Sequence, residues 1–203
     1  MAAEKKEFSP LFVPTRESGK LYKLDDHIQV SVSGVVADAN FLVDYGRLHS
    51  QRHTYSQHTP IYVESLVQYL ANYKHGYTQF GSSRPFGVSL MYAGYDKVCG
   101  FQLYCSDPSG NYAAWKAHAT GRGSVNATSQ LKDEFKENLS LHDATVLAAK
   151  VLAKTIDMTK PDPTKFEIGV VKFNDEGKVI QTVLEGAELM AVLNDPKVFE
   201  EKK

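Results

Sequence analysis

Ile28, Val30 and Val32 alternate with Gln29, Ser31 and Ser33, and the run ends at Gly34-Val35-Val36. A two-residue period is that of a strand with one buried face. The period then changes. From Asp38, a residue suited to cap a helix, Phe41, Tyr45, Leu48 and Tyr55 fall on one predicted helical face. Thr59-Pro60 opens a second helix, in which Val63, Leu66, Val67, Leu70, Tyr73 and Tyr77 recur at spacings of three and four. Residues 85–95 are apolar and β-rich, and 100–105 form a second short apolar run. Asp107-Pro108-Ser109-Gly110 puts proline second and glycine fourth, as a type I turn prefers, and residues 112–120 are expected to resume as a strand.

A third helix is predicted over 124–136, with Leu131 and Phe135 as its core contacts. Ser140 with Asp143 resembles a capping box and opens a strongly periodic helix carrying Ala144, Leu147, Ala148, Val151 and Leu152. Pro161 and Pro163 stop that run. Residues 166–173 and 178–184 read as a hairpin around Asn174-Asp175-Glu176-Gly177, and 188–193 as a last short helix. Strand runs separated by blocks of paired helices predict an α+β domain over 1–203, with two sheets sandwiched between helix layers.

Composition narrows the function classes. The chain has 203 residues, 42% hydrophobic and 23% charged, which suits one globular domain with a sizeable core. A formal net charge of -1 gives no ground for inferring a broad basic surface for nucleic acid. No apolar stretch approaches the roughly 20 residues of a membrane-spanning helix, and Met1-Ala2-Ala3-Glu4-Lys5-Lys6 has no signal-peptide apolar region. Cys99 and Cys105 form no Cys-x-x-Cys pair and are expected as buried, reduced thiols of a cytosolic or nuclear protein. In that setting the sequons at Asn126 and Asn138 carry no glycan.

Candidate chemistry is sparse. His49 and His53 lie four apart, with His58 nearby, but no cysteine or evident carboxylate completes a metal site, so solvent-facing or interface histidines are expected. Gly121-Arg122-Gly123-Ser124 lacks the spacing and Lys-Ser/Thr ending of a phosphate-binding loop and reads as a strand-to-helix turn. Serine, histidine and aspartate are plentiful, yet no Gly-x-Ser-x-Gly elbow occurs. Eleven tyrosines and ten phenylalanines point instead to packing and to protein interfaces.

Three segments carry a family resemblance: Tyr77-Thr78-Gln79, Arg84-Pro85-Phe86-Gly87-Val88 and Ser106-Asp107-Pro108-Ser109-Gly110. In this order and spacing, with Trp115-Lys116-Ala117 after them, the chain resembles the proteasome alpha subunits, and the likeness fades only at the C-terminal tail. The resemblance implies the four-layer αββα sandwich of the N-terminal-nucleophile hydrolases. It also implies a non-catalytic subunit, without cofactor or metal, in a seven-membered alpha ring of the 20S core particle. Such rings stack on beta subunits, gate substrate entry and dock activators in ubiquitin-dependent degradation, in cytoplasm and nucleus.

Catalytic beta-type relatives expose a threonine by cutting a Gly-Thr bond, so that its own amine serves as base. None of the 14 glycines here precedes a threonine. Gly81-Ser82 and Gly123-Ser124 exist, but cutting at either removes elements the fold needs. In the family's activator-docking pocket a lysine matches Lys20, within Gly19-Lys20-Leu21-Tyr22-Lys23-Leu24, and a glycine matches Gly34. Such a lysine pairs with the terminal carboxylate of an activator tail. Apart from the resemblance, Lys20 reads as a solvated strand-edge lysine. Family members carry a gating tail, a first helix and a strand hairpin before the segment that Met1 here directly precedes. The resemblance therefore implies an N-terminally truncated subunit, in which gating and ring assembly are at stake and uncovered edges invite self-association. An active, self-compartmentalised hydrolase of the same fold remains the alternative, as does, more remotely, a stand-alone interaction domain; reaction with an N-terminal-threonine inhibitor separates the hydrolase from the subunit.

Overall fold

The computed structural model describes residues 1–5, 11, 13, 19–81, 84–158 and 160–199. Lys6, Ser82 and the charged end at 200–203 lie outside the described residues. The chain divides into two compact units, one of 22–116 with 171–181 and one of 1–21, 117–170 and 182–203.

Eight strands and five helices are present among the described residues: β1 (Ala2–Glu4), β2 (Leu21–Asp25), β3 (Ile28–Gly34), α1 (Val36–Gln57), α2 (Val63–Gln79), β4 (Val88–Asp96), β5 (Gly100–Ser106), β6 (Tyr112–Ala114), α3 (Ser124–Glu134), α4 (Leu141–Thr155), β7 (Phe166–Phe173), β8 (Val179–Leu184) and α5 (Gly186–Leu193). They form a five-stranded sheet, β2-β3-β4-β5-β6, and a three-stranded sheet, β1-β7-β8. The α+β composition and the 166–184 hairpin are as the sequence predicts.

In the 22–116 unit, β3 pairs antiparallel with β4, Ile28 opposite Gly94 and Val32 opposite Leu90. Ile28, Val30 and Val32 join Val88, Leu90 and Tyr92 in a core that α1 and α2 cover. On α2, Val63, Leu66, Val67 and Leu70 are all buried, as their spacing predicts, and Ala71 and Lys74 continue the stripe. The helix begins at Val63, later than Thr59-Pro60, where the Asp96 carboxylate accepts from the Val63 amide at 3.2 Å.

The expected face of α1 is wrong. Tyr55 is 87% exposed, and Phe41 and Leu48 are exposed as well. The buried stripe is Ala39, Leu42, Val43, Gly46 and Ser50. Small residues let α1 approach closely: a Cβ at Gly46 would stand 3.2 Å from Leu70 Cδ1 and 3.4 Å from Leu24 Cδ2. Phe41 and Tyr45 instead stack beside the stripe, with Tyr73 and Phe86, as an aromatic ladder. The expected cap is also displaced. Val35, in extended conformation, precedes the helix without a side-chain cap, and Asp38 lies inside its first turn.

A turn closes at the expected residues, with Gly110 N donating to Asp107 O at 3.1 Å. β6 is shorter than the expected 112–120. After Trp115 N donates to Leu103 O, the chain leaves this sheet, and residues 117–170 belong to the other unit. Cys99 is exposed at the β4–β5 turn, where Asp96 Oδ1 accepts from its amide at 2.8 Å, and Cys105 is half-buried. Both thiols are free, but the expected burial fails for Cys99 because it stands at a hairpin tip.

In the other unit, β1 pairs antiparallel with β7, Ala3 opposite Glu167. Ser140 caps α4 as expected, its Oγ accepting from the Asp143 amide at 3.1 Å. The buried positions of α4 are Val146, Ala149, Val151 and Ala153, and Val146, Ala149 and Ala153 pack within a core that includes Phe166, Ile168 and Leu193. Of the five predicted core positions only Val151 is fully buried, Ala144 being exposed and Leu147, Ala148 and Leu152 half-buried. On α3 the buried residue is Ala127, while Leu131 is half-buried and Phe135 stands past the helix end. No described helix is long and apolar enough to cross a membrane.

Candidate functional site

Lys20 precedes β2 in a bend and is half-buried. Its amide donates to Glu167 Oε2 at 2.7 Å and the Leu21 amide donates to Glu167 Oε1 at 3.3 Å, so one β7 carboxylate holds the backbone on both sides. Glu167 comes close at Gly19 as well, where a Cβ would stand 2.7 Å from its Oε1. The Lys20 ammonium makes no ion pair with a described residue. Gly34 closes β3 in the other unit, opposite Val88.

Gly34 has a local reason to be glycine. Its φ is +136°, and a Cβ would run into the Gly87 carbonyl oxygen and lie 2.9 Å from Val88 Cα. That carbonyl accepts from the Val35 amide at 2.9 Å. Asp38 ties the same corner. Arg84 donates to both its oxygens, at 2.7 and 2.8 Å, and the Gly87 amide donates to Oδ2 at 2.8 Å. The Arg84-Pro85-Phe86-Gly87 segment is thus pinned to the start of α1.

The Arg84 hydrogen bonds lower the Asp38 carboxyl from its ordinary 3.8 to about 2. A carboxylate depressed in the folded state contributes stability above its ordinary pKa and loses it as pH falls towards the folded value. Stability should therefore decline from about pH 4 to about pH 2 through this group. Because Arg84 is largely exposed, solvent screening keeps the contribution small. Urea denaturation should show a shallower acid decline for Asp38→Asn than for the parent; equal slopes would refute the assignment.

Two serine constellations form in the 22–116 unit. Ser50 donates to Asp25 Oδ2, and His27 Nδ1 lies 4.0 Å from the same oxygen, while His27 Nε2 meets the Ile61 carbonyl at 2.7 Å. Here the aspartate stands between serine and histidine. A hydrolytic triad needs the imidazole next to the hydroxyl, so this set has no base placed to take the serine proton. In the second, Lys74 Nζ donates to Ser106 Oγ at 2.8 Å, with Tyr92 OH 3.1 Å from that oxygen. A lysine on a serine is a known nucleophile arrangement. Lys74, Ser106 and Tyr92 are each 0% exposed, however, and no substrate carbonyl reaches them. Lys74 falls four residues after Leu70 on the apolar stripe, a spacing that already signals burial.

The histidine and glycine candidates do not assemble. His49 stacks on Tyr69, and burial pushes its imidazole below the ordinary value. Among the described residues no three His, Cys, Asp or Glu side chains come together as a metal site. Gly121 and Gly123 have positive φ, and Gly123 precedes α3 in the left-handed conformation of a turn.

Comparison with known proteins accounts for the motif residues. The model of the proteasome subunit family matches residues 1–171. Proteasome subunit alpha type-4 of Spinacia oleracea is 47% identical over 179 residues, 88% of this chain and 72% of that protein. Alpha type-4-2 of Oryza sativa subsp. indica is 49% identical over 171 residues, 84% of this chain and 68% of that protein. Alpha type-4 of Petunia hybrida is 47% identical over 179 residues, with 88% and 72% covered. With this similarity sustained over most of its length, the chain belongs to the proteasome subunit family.

Proposed function

We propose that this chain is a non-catalytic alpha-ring subunit of the 20S proteasome core particle. It enters a seven-membered ring with other alpha subunits, stacks on beta subunits, and contributes to substrate gating and activator docking in ubiquitin-dependent protein degradation, in cytoplasm and nucleus. The observation that carries this reading is the sustained similarity to alpha-type subunits. The miswired Ser50 set and the sealed Lys74–Ser106 pair support the absence of catalysis.

Lys20 is the docking residue in this reading. Its backbone is held by Glu167, and its ammonium is left available for the terminal carboxylate of an activator tail. The test is made in assembled particles. A tagged chain expressed in eukaryotic cells should co-purify, by native mass spectrometry, in a particle of about 28 subunits built from closed rings. With other pockets disabled, Lys20→Ala should weaken binding of a tail peptide roughly tenfold or more, and a peptide with an amidated C-terminus should be indifferent to the change. Recovery of the chain only outside such particles refutes the subunit role. Equal affinity of parent and Lys20→Ala particles refutes the docking role alone.

A further inference from the structure

The 107–111 turn sits flush on the second half of α2. A Cβ at Gly110 would meet His75 Cβ and the His75 amide nitrogen at 2.7 Å, so only glycine permits the approach. His75 Nδ1 lies 3.0 Å from the Ser109 carbonyl. Beneath the turn, Lys74 reaches Ser106, and both are fully buried together with Tyr92. The turn is internally braced: the Asp107 carboxylate accepts from Ser109 N at 2.8 Å, Ser109 Oγ at 2.5 Å and Asn111 N at 3.2 Å. Those bonds commit Asp107 to the turn; it forms no ion pair with Lys74, and its charge offsets only part of the cost that burial puts on the ammonium.

A protonated lysine offers three N–H donors, and here one has a partner. Holding that charge in a fully buried position is costly. A neutral amine is better served. The Ser106 hydroxyl can turn and donate to it, and the Tyr92 hydroxyl can donate to Ser106 Oγ, so that the chain of hydroxyls is satisfied end to end. We propose that α2 and the 107–111 turn form a proton-sensitive latch, closed when the Lys74 amine is neutral and loosened when it is protonated.

Burial lowers the Lys74 pKa from 10.5 to about 8. A lysine depressed in the closed state favours closure progressively as pH rises from about 8 towards 10.5, and below about 8 the penalty is fully present. The other titratable groups at the clasp are Asp107 in the turn, His75 on α2, Cys105 on β5 and Tyr92 on β4. Burial raises the Tyr92 phenol and the Cys105 thiol, which keeps both neutral in the lower part of this window. β6 brings Tyr112 towards α2, and α1 brings Tyr45 against Tyr69 and Tyr73.

The test is NMR of the intact chain. The Lys74 Cε resonance should titrate with a midpoint near 8. Backbone order parameters of Ser109, Gly110 and Asn111 should be higher above that midpoint than below it. In Lys74→Met the turn should lose this pH response. A Lys74 midpoint at the ordinary lysine value overturns the latch. So does an unchanged turn across the Lys74 midpoint, or a pH response that persists in Lys74→Met and follows His75. The titration needs only the unaltered protein, so a variant that fails to fold leaves the test standing.

Discussion

Leu70→Asp is expected to destabilise the protein by at least about 3 kcal/mol, a large fraction of the roughly 5–15 kcal/mol that holds an ordinary domain folded. Leu70 is fully buried and lies where α2 meets Gly46 of α1. The substitution removes an apolar side chain from that contact and leaves a carboxylate with no donor among Leu66, Val67, Leu42 and Val43, its neighbours in the same core. Leu70→Met, close in volume, should cost less than about 1.5 kcal/mol, which separates the charge from simple repacking. Urea denaturation followed by circular dichroism measures both. A Leu70→Asp midpoint within error of the parent would mean that α2 does not pack through this face.

The second large effect is expected at Gly34. Gly34→Ala places a Cβ into the Gly87 carbonyl, at a φ of +136° that L side chains rarely adopt. Both obstacles are backbone, so a rotamer change relieves neither. The end of the β3–β4 ladder must shift, and with it the Val35–Gly87 hydrogen bond and the Asp38–Arg84 pair beside it. A loss of about 2–4 kcal/mol is expected. A change below about 0.5 kcal/mol would show that the corner relaxes freely and that the glycine is not required by its backbone. The prediction bears on docking as well. Weakened tail binding in Gly34→Ala follows from a displaced corner alone, so the proposed docking role is tested through Lys20.

Much of the 22–116 unit was legible because its signals are local. The alternation of Ile28, Val30 and Val32 points to a strand with these three in the core, and they are buried there, although Gln29 between the first two is buried as well. Val63, Leu66, Val67 and Leu70 line one face of a helix, and all four are buried. Asp107-Pro108-Ser109-Gly110 and Ser140 specify a turn and a cap from within a few residues, and both appear. The absence of any Gly-Thr bond is likewise a property of the chain by itself.

What the sequence left open was decided by partners distant along the chain. Apolar size marked Phe41, Leu48 and Tyr55 as the inner face of α1, yet the helix turns its small residues inward because Leu70 and Leu24 already occupy the space at Gly46. Asp38 has the chemistry of a cap, but Arg84 and Gly87, more than 40 residues later, take its carboxylate. Lys74 follows the apolar spacing into the core. Whether an amine survives there depends on Ser106 and Tyr92 being brought beneath it by two strands of the sheet. Periodicity therefore settles which residues form each element and often which stripe is apolar. Packing density and the pairing of buried polar groups settle which stripe wins, and only the tertiary fold brings those partners together.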